Sequence, residues 1–369
     1  MKRIFLVAGE ISGDTHGSAL MRALPTDELE LSGLGGPTMR EISDDIEDWL
    51  ADAAVLGLWE VLKKYGYFRQ KMDETVARIF AEKPDAVVLI DYPGFNLRLA
   101  KALRKGGFTG KLIYYISPQV WAWKRGRIKT MAELLDLMIC IFPFEKELYE
   151  NSGLPTEFAG HPLVDSMEEE RIDGVTRDPN LVALLPGSRE REVEGLFPQM
   201  LEAARILKKA RPDLRFASTG ATAVLDARIH ELAGKAGIKI EKFPAHEIMQ
   251  RAAVGVVASG TATLEAACLG LPYCLTYKVA WLTALVARQV MKVDFLGIVN
   301  VMAGREVVRE LLQEKSTGPV IADELERLLS DDVVRNALQD DIARVVAMLG
   351  EGGSHERAAS CVIAALGAD

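Results

Sequence analysis

The sequence has no Cys-x-x-Cys pair and no His or Cys spacing that suits a zinc site. Its four cysteines, Cys140, Cys268, Cys274 and Cys361, stand far apart, so neither a disulfide framework nor a structural metal is expected, and reduced thiols fit a cytosolic setting. The five histidines are scattered as well, and no metal or other cofactor is expected from them. No window offers about 18 consecutive apolar residues, which argues against a membrane span. The apolar run after Met1-Lys2-Arg3 is cut by Glu10 and Asp14, so it reads as a first strand and not as a signal peptide. No strand candidate is followed by G-x-G-x-x-G, which disfavours a dinucleotide enzyme. The formal net charge of −9 argues against a nucleic-acid binder, whose basic face must neutralise phosphates.

What the chain does have is an ordinary globular composition, 49% hydrophobic and 26% charged over 369 residues, a length that suits two domains. Short aliphatic runs alternate with helical patterns throughout, the mark of parallel βαβ units. The strand candidates are 4–8, 86–90, 112–116 and 137–141 in the first half, and 181–185, 214–218, 238–242, 254–258 and 273–276 in the second. Both halves read as doubly wound α/β domains. Proline and unpatterned charge in 160–180 suggest a linker, with the boundary near Asp165. Domains of 1–165 and 166–344 follow, with a helical tail from about 345 to 369. From Gly304 to Gly350 the pattern reads as almost wholly helical. Between Val61 and Met131 stand 15 Lys and Arg against 5 Asp and Glu, so one region of an acidic chain suits an anionic surface or a phosphorylated substrate.

Ligands of open α/β sheets lie beyond the carboxyl ends of strands, which directs attention to the strand-to-helix turns. In "LLPGSRERE", 184–192, a strand turns through Gly187, offers Ser188 as N-cap and begins a helix with Arg189. Unpaired N–H groups there, with a guanidinium, suit a diphosphate; a plain capped helix with a solvent arginine is the alternative. "ASGTATLEAA", 258–267, repeats the arrangement with Ser259, Gly260 and Thr261, and adds Glu265, placed either to accept from ribose hydroxyls or merely to favour the helix dipole. The first turn carries Gly9, Gly13 and Gly17, which permit close approach of a ligand or simply make a tight loop. In "IDYPGFN", Asp91 stands at a buried strand end, as a candidate general base or as a cap of the next turn.

Several segments converge. "VAGEISGD" at the start, "LGLWEVL" at 56–62, "IDYPGFN" at 90–96, "SPQVWAWKRGR" at 117–127, "FPFE" at 142–145, "GHPLVD" at 160–165, "LLPGSRERE", "ASGTATLEAA" and "NVMAGREVVRELLQ" at 300–313 together resemble the lipid-A-disaccharide synthases. The resemblance implies a GT-B-type fold, two Rossmann-like parallel-sheet domains with a cleft between them and a C-terminal helix crossing back. It implies inverting transfer of 2,3-diacylglucosamine from UDP-2,3-diacylglucosamine to 2,3-diacylglucosamine 1-phosphate, with no metal, by an enzyme peripheral to the cytoplasmic face of the inner membrane. Asp91 would be the base and Arg189 would stabilise the departing UDP. Beside the turns of Gly187 and Ser188 and of Ser259, Gly260 and Thr261, Glu265 and Asn300 would by the same resemblance contact the nucleotide, Phe243 and Tyr277 would line its pocket, and Ser12, Gly13 and Asp14 would border the cleft. A swapped homodimer is left open. So are another UDP-sugar enzyme of this fold, a peptidoglycan lipid glycosyltransferase or a UDP-N-acetylglucosamine 2-epimerase, and a nucleotide-binding module without catalysis.

Acylated substrates require contact with a bilayer. The segment 54–68, with Val55, Leu56, Leu58, Trp59 and Leu62 beside lysines, reads as an interfacial helix on anionic lipid, with core packing as the alternative. The family usually has a smaller apolar residue where this chain has Trp59. Residues 281–286 are a second candidate. Trp121 and Trp123, beside Lys124, Arg125 and Arg127, suit the same surface, an acceptor phosphate, or packing.

Overall fold

The computed structural model describes residues 1–50, 65–123, 126–278 and 294–367. The chain divides into two compact units, Met1–Pro162 with Leu349–Asp369, and Leu163–Met348.

The first unit is built on a seven-stranded sheet in the order β3-β2-β1-β4-β5-β6-β7, all pairs parallel. Its strands are β1 (Lys2–Ala8), β2 (Leu29–Gly35), β3 (Ile46–Asp48), β4 (Ala86–Ile90), β5 (Lys111–Tyr115), β6 (Leu137–Cys140) and β7 (Thr156–Phe158). β4 is buried at every position because helices cover both faces of a parallel sheet, so its sequence Ala-Val-Val-Leu-Ile shows no alternation. The second unit holds a six-stranded sheet in the order β10-β9-β8-β11-β12-β13. Its strands are β8 (Asp178–Leu185), β9 (Arg215–Ala217), β10 (Ile240–Glu241), β11 (Ala252–Ala258), β12 (Tyr273–Tyr277) and β13 (Glu310–Leu312).

Four strands depart from the sequence reading. β2, β3 and β7 were not expected: Leu-Glu-Leu-Ser-Gly-Leu-Gly carries two glycines, and the other two strands are three residues long. β13 corrects the expectation of helix after Gly304. Its residues read as helix formers, yet Leu311 and Leu312 pair with Thr276 and Tyr277 and complete the sheet, so a vacant strand edge overrides local propensity.

The stretch expected to be a loose linker is fastened to the second unit. Leu163–Glu169, with Asp165 in it, is helical. Arg171 donates to Cys268 O at 3.1 Å, and Arg177 donates to Met249 O, Ala252 O and Leu269 O, each at 2.7 Å. These carbonyls end the helices Ala245–Arg251 and Thr261–Cys268, where unpaired C=O groups carry partial negative charge. Burial holds the Arg177 guanidinium down at about 10.

The C-terminal helix Ser354–Gly367 belongs to the first unit and packs on the helix Ile11–Ala23. Arg357 ties it there, donating to Ala159 O at 2.8 Å and to Gly352 O at 2.7 Å. His161 N donates to Leu349 O at 2.9 Å.

Candidate functional site

In the second unit the strand ends enclose a cleft of about 490 Å³. Pro186 to Arg189 after β8, Thr219 to Ala221 after β9, and Ser259 to Ala262 after β11 form its walls, with Glu265 at one side. Gly187, Ser188, Arg189, Ser259, Gly260, Thr261 and Glu265 are thus brought together from segments about 70 residues apart. Phe243, Tyr277 and Asn300 do not line this cleft.

The helix after β8 begins one residue later than the sequence reading places it. Its N-cap is Arg189 and it runs Glu190–Ala210, burying Val193, Leu196, Phe197 and Met200 at about 1.5–3 kcal/mol per side chain. Ser188 is not the cap. Glu192, three residues into the helix, reaches back, and its Oε2 accepts from Ser188 N at 3.1 Å and Arg189 N at 3.2 Å. This carboxylate satisfies N–H groups that the helix start otherwise leaves unpaired. Gly187, at φ 105°, makes room for it, since a Cβ there would lie 2.3 Å from Glu192 Oε2. Sequence reading passed over Glu192, although an acid three residues after a cap is a recognisable signal.

Glu265 Oε2 lies 3.5 Å from His246 Nε2, and the other ring nitrogen of His246 lies 3.2 Å from Glu170. No local pattern announces His246, because it meets Glu265 only through the packing of their two helices. Phe243 carries the guanidinium of Arg251 over its ring at 5.4 Å and borders a separate cavity near the start of β8. Asn300 is wholly buried, and its amide is engaged at both ends: Nδ2 donates to Val308 O and Glu310 Oε1, and Oδ1 accepts from Val307 N and Val308 N. In this arrangement it organises the entry to β13. Tyr277 is the half-buried last residue of β12.

In the first unit the strand ends of β1 and β4 carry the candidate residues. Ser12 is exposed and Gly13 and Asp14 are buried. Asp14 is engaged by the following turn: Oδ1 accepts from Gly36 N at 2.8 Å and Met39 N at 3.0 Å, and Oδ2 from Thr38 N and Oγ1. Asp91 is half-buried at the end of β4. Burial, and then the charge of Glu10, push its carboxyl up to about 6. A carboxyl whose pKa is raised toward neutrality at a strand end is a candidate for acid–base chemistry. Tyr92 lays its ring over Gly9, where a Cβ would come within 2.1 Å of Cδ1.

Among the alternatives for Trp121, packing is realised. The indole is buried and donates to Glu145 Oε1 at 3.0 Å, while Phe142 N donates to Oε2 at 3.2 Å. Burial pushes the Glu145 carboxyl up to about 8. His16 and His161 are held down at about 4, chiefly by burial. Val55, Leu56, Leu58, Trp59, Leu62, residues 281–286, Lys124 and Arg125 lie outside the described residues. Among the described residues no helix is long and apolar enough to cross a membrane, and no group of three or more His, Cys, Asp and Glu is arranged to hold a metal ion.

Two Rossmann-type units of parallel strands, with polar turns at the strand ends, define an α/β fold of the GT-B type. Two solved structures share it: an S. aureus MnaA–UDP complex, at TM-score 0.63 and 14% identity over 98% of this chain and 96% of that one, and the UDP-GlcNAc 2-epimerase from Neisseria meningitidis bound to UDP-GlcNAc, at TM-score 0.61 and 12% identity over 99% and 100%. The sequence pattern of the lipid-A-disaccharide synthetase family matches residues 4–364. The lipid-A-disaccharide synthase of Geobacter metallireducens is 40% identical over 377 aligned positions, covering 99% of this chain and 98% of that protein. The chain belongs to the lipid-A-disaccharide synthase family, and it is a glycosyltransferase.

Proposed function

We propose that the protein transfers 2,3-diacylglucosamine from UDP-2,3-diacylglucosamine to 2,3-diacylglucosamine 1-phosphate with inversion, releasing UDP and the β-1,6-linked disaccharide 1-phosphate. Membership of the family across nearly the whole chain carries this reading. Support for its chemistry comes from Asp91, whose carboxyl near pKa 6 suits removal of a proton from the attacking hydroxyl at neutral pH. Arg189, with its exposed guanidinium at the mouth of the strand-end cleft, suits stabilisation of the negative charge that develops as UDP leaves. Ser188, Gly260, Thr261 and Glu265 surround the space for the nucleotide.

Neither role calls for a metal, so turnover in excess chelator equals turnover without it; abolition by chelator would overturn that part. The acyl chains place the enzyme on an anionic membrane surface, peripheral to the inner membrane on its cytoplasmic side, through Val55, Leu56, Leu58, Trp59 and Leu62. Leu58→Ser with Trp59→Ser reduces binding to anionic liposomes on this reading, and unaltered partitioning would remove the segment from the membrane. The direct test of the activity supplies both acylated glucosamines in detergent and seeks the disaccharide by mass spectrometry. Epimerised UDP-sugar, or nucleotide binding with no product, would sink the proposal.

A further inference from the structure

Two consecutive residues at the end of β4, Asp91 and Tyr92, hold φ of 44° and 45°. A bulky tyrosine in the left-handed region is an outlier, and such turns persist only where surrounding contacts over-determine them. Such contacts surround this turn. Asn96, in the first turns of the helix Pro93–Lys105, is 0% exposed, and its Nδ2 donates to Asp91 O at 2.8 Å and Ile90 O at 3.1 Å, with Val7 O at 3.5 Å. Three carbonyls surround that end of the amide, so only the NH₂ can face them. From β5, the Tyr114 hydroxyl donates to the same Asp91 O. At its other end Asn96 Oδ1 is buried without a hydrogen-bond partner among the described residues. A buried amide that leaves its own acceptor unpaired is held for its donors.

We infer that Asn96, seconded by Tyr114, is a positioning residue for the transfer reaction: it locks the Asp91–Tyr92 turn so that the Asp91 carboxylate stays at the strand end, shielded from water. The inference rests on the reading of Asp91 as the base. Asn96 and Tyr114 touch only the backbone of that residue, and they act by fixing where its side chain projects. Without the donors Asp91 O has no partner in the turn, the left-handed pair relaxes, and the Tyr92 ring leaves Gly9 and admits water. The ionisable groups that act on Asp91 and its turn are Glu10, at the start of the helix Ile11–Ala23, with Tyr92 and Tyr114; Tyr67 acts on Tyr92, and Tyr149 and Arg127 act on Tyr114. A change at Asn96 removes none of these groups, and of them only Tyr92 moves with the turn.

The test is steady-state kinetics of the full chain as Asn96→Leu, close in size and without donors, as Tyr114→Phe, and as Asp91→Asn. Asn96→Leu is expected to lower kcat roughly 30- to 100-fold, as misplacement of a reacting group does, while KM for the UDP-sugar stays within about twofold. Hydration of Asp91 moves the acidic inflection of kcat/KM down from near 6 toward the usual carboxylate range. Tyr114→Phe moves both readouts the same way, with kcat down roughly threefold to tenfold, and carries the test if Asn96→Leu does not fold. If Asp91→Asn abolishes turnover while the other variants keep kcat and the inflection, the positioning role is overturned and the base survives. If Asp91→Asn keeps wild-type turnover, the base reading fails and the inference falls with it.

Discussion

The guanidinium of Arg189 lies 2.9 Å from the carboxylate of Glu192, the same carboxylate that accepts from the backbone N–H groups of Ser188 and Arg189. Glu192 therefore stands among the groups proposed to meet a diphosphate. The arginine side chain is 80% exposed, so the pair is screened and worth about 0–1 kcal/mol, and a dianion can take the guanidinium from it. Arg189→Ala is expected to lower kcat about 10²- to 10³-fold, as loss of one such donor does. A fall of less than about threefold in the same assay removes Arg189 from the reaction. Glu192→Gln keeps a cap acceptor and removes the competing charge. KM for the UDP-sugar then falls, by no more than roughly fivefold given the weakness of the pair, and a rise in KM shows that Glu192 assists the ligand.

As the proposed base, Asp91 is expected to set the acid limb of the rate profile. Its raised carboxyl must lose its proton to act as a base, so kcat/KM rises with pH through an inflection near 6 and levels above it. Asp91→Asn lowers kcat about 10²- to 10⁴-fold and removes that limb from whatever turnover remains. An inflection that persists in the variant assigns it to another group.

Glu145 makes stability depend on pH. Its folded carboxyl titrates at about 8 against an ordinary 4.5, because burial disfavours the charge. The native state thus holds a proton that the unfolded chain has released, so this contribution is fullest below 4.5 and is lost as pH rises through 8. Glu145→Gln carries no such charge. The fall in Tm between pH 6 and 9 is expected to shrink by a few degrees in scanning calorimetry, and an unchanged slope assigns the dependence elsewhere.

Arg177 is expected to matter for folding and not for chemistry. Its three carbonyl partners end two helices that flank the sheet of the second unit, and Arg177→Met leaves them unpaired. The loss is on the order of 3 kcal/mol, read as a lower urea midpoint with KM unchanged at temperatures where the variant is folded. An unaltered midpoint would mean that water replaces the guanidinium at those carbonyls.

Several features were legible from local chemistry alone. Residues 4–8 of β1, and β4 and β11 in full, are continuous apolar runs, as strand segments buried on both faces must be. Their ends carry Asp91 and the Ser259-Gly260-Thr261 turn, whose residue types have few uses in a core. The apolar runs, glycines and family motifs around them made the α/β class and two of the three turns that wall the cleft legible without any knowledge of packing.

Other features have no local signature. β13 is a strand only because β12 leaves an edge for it, and its own residues favour a helix. Asn300 and Asp14 read as ligand contacts, but Asn300 is taken up by the backbone just before β13 and Asp14 by the more distant turn after β2, and Trp121 meets Glu145 through a similarly distant contact. The elevated pKa of Asp91 arises from the burial that β5 and the neighbouring helices impose on it. Residue type fixes what a side chain is able to do, and that is written in the sequence. Which groups lose water, and which partners they meet, depends on segments far apart in the chain, and tertiary structure alone decides it.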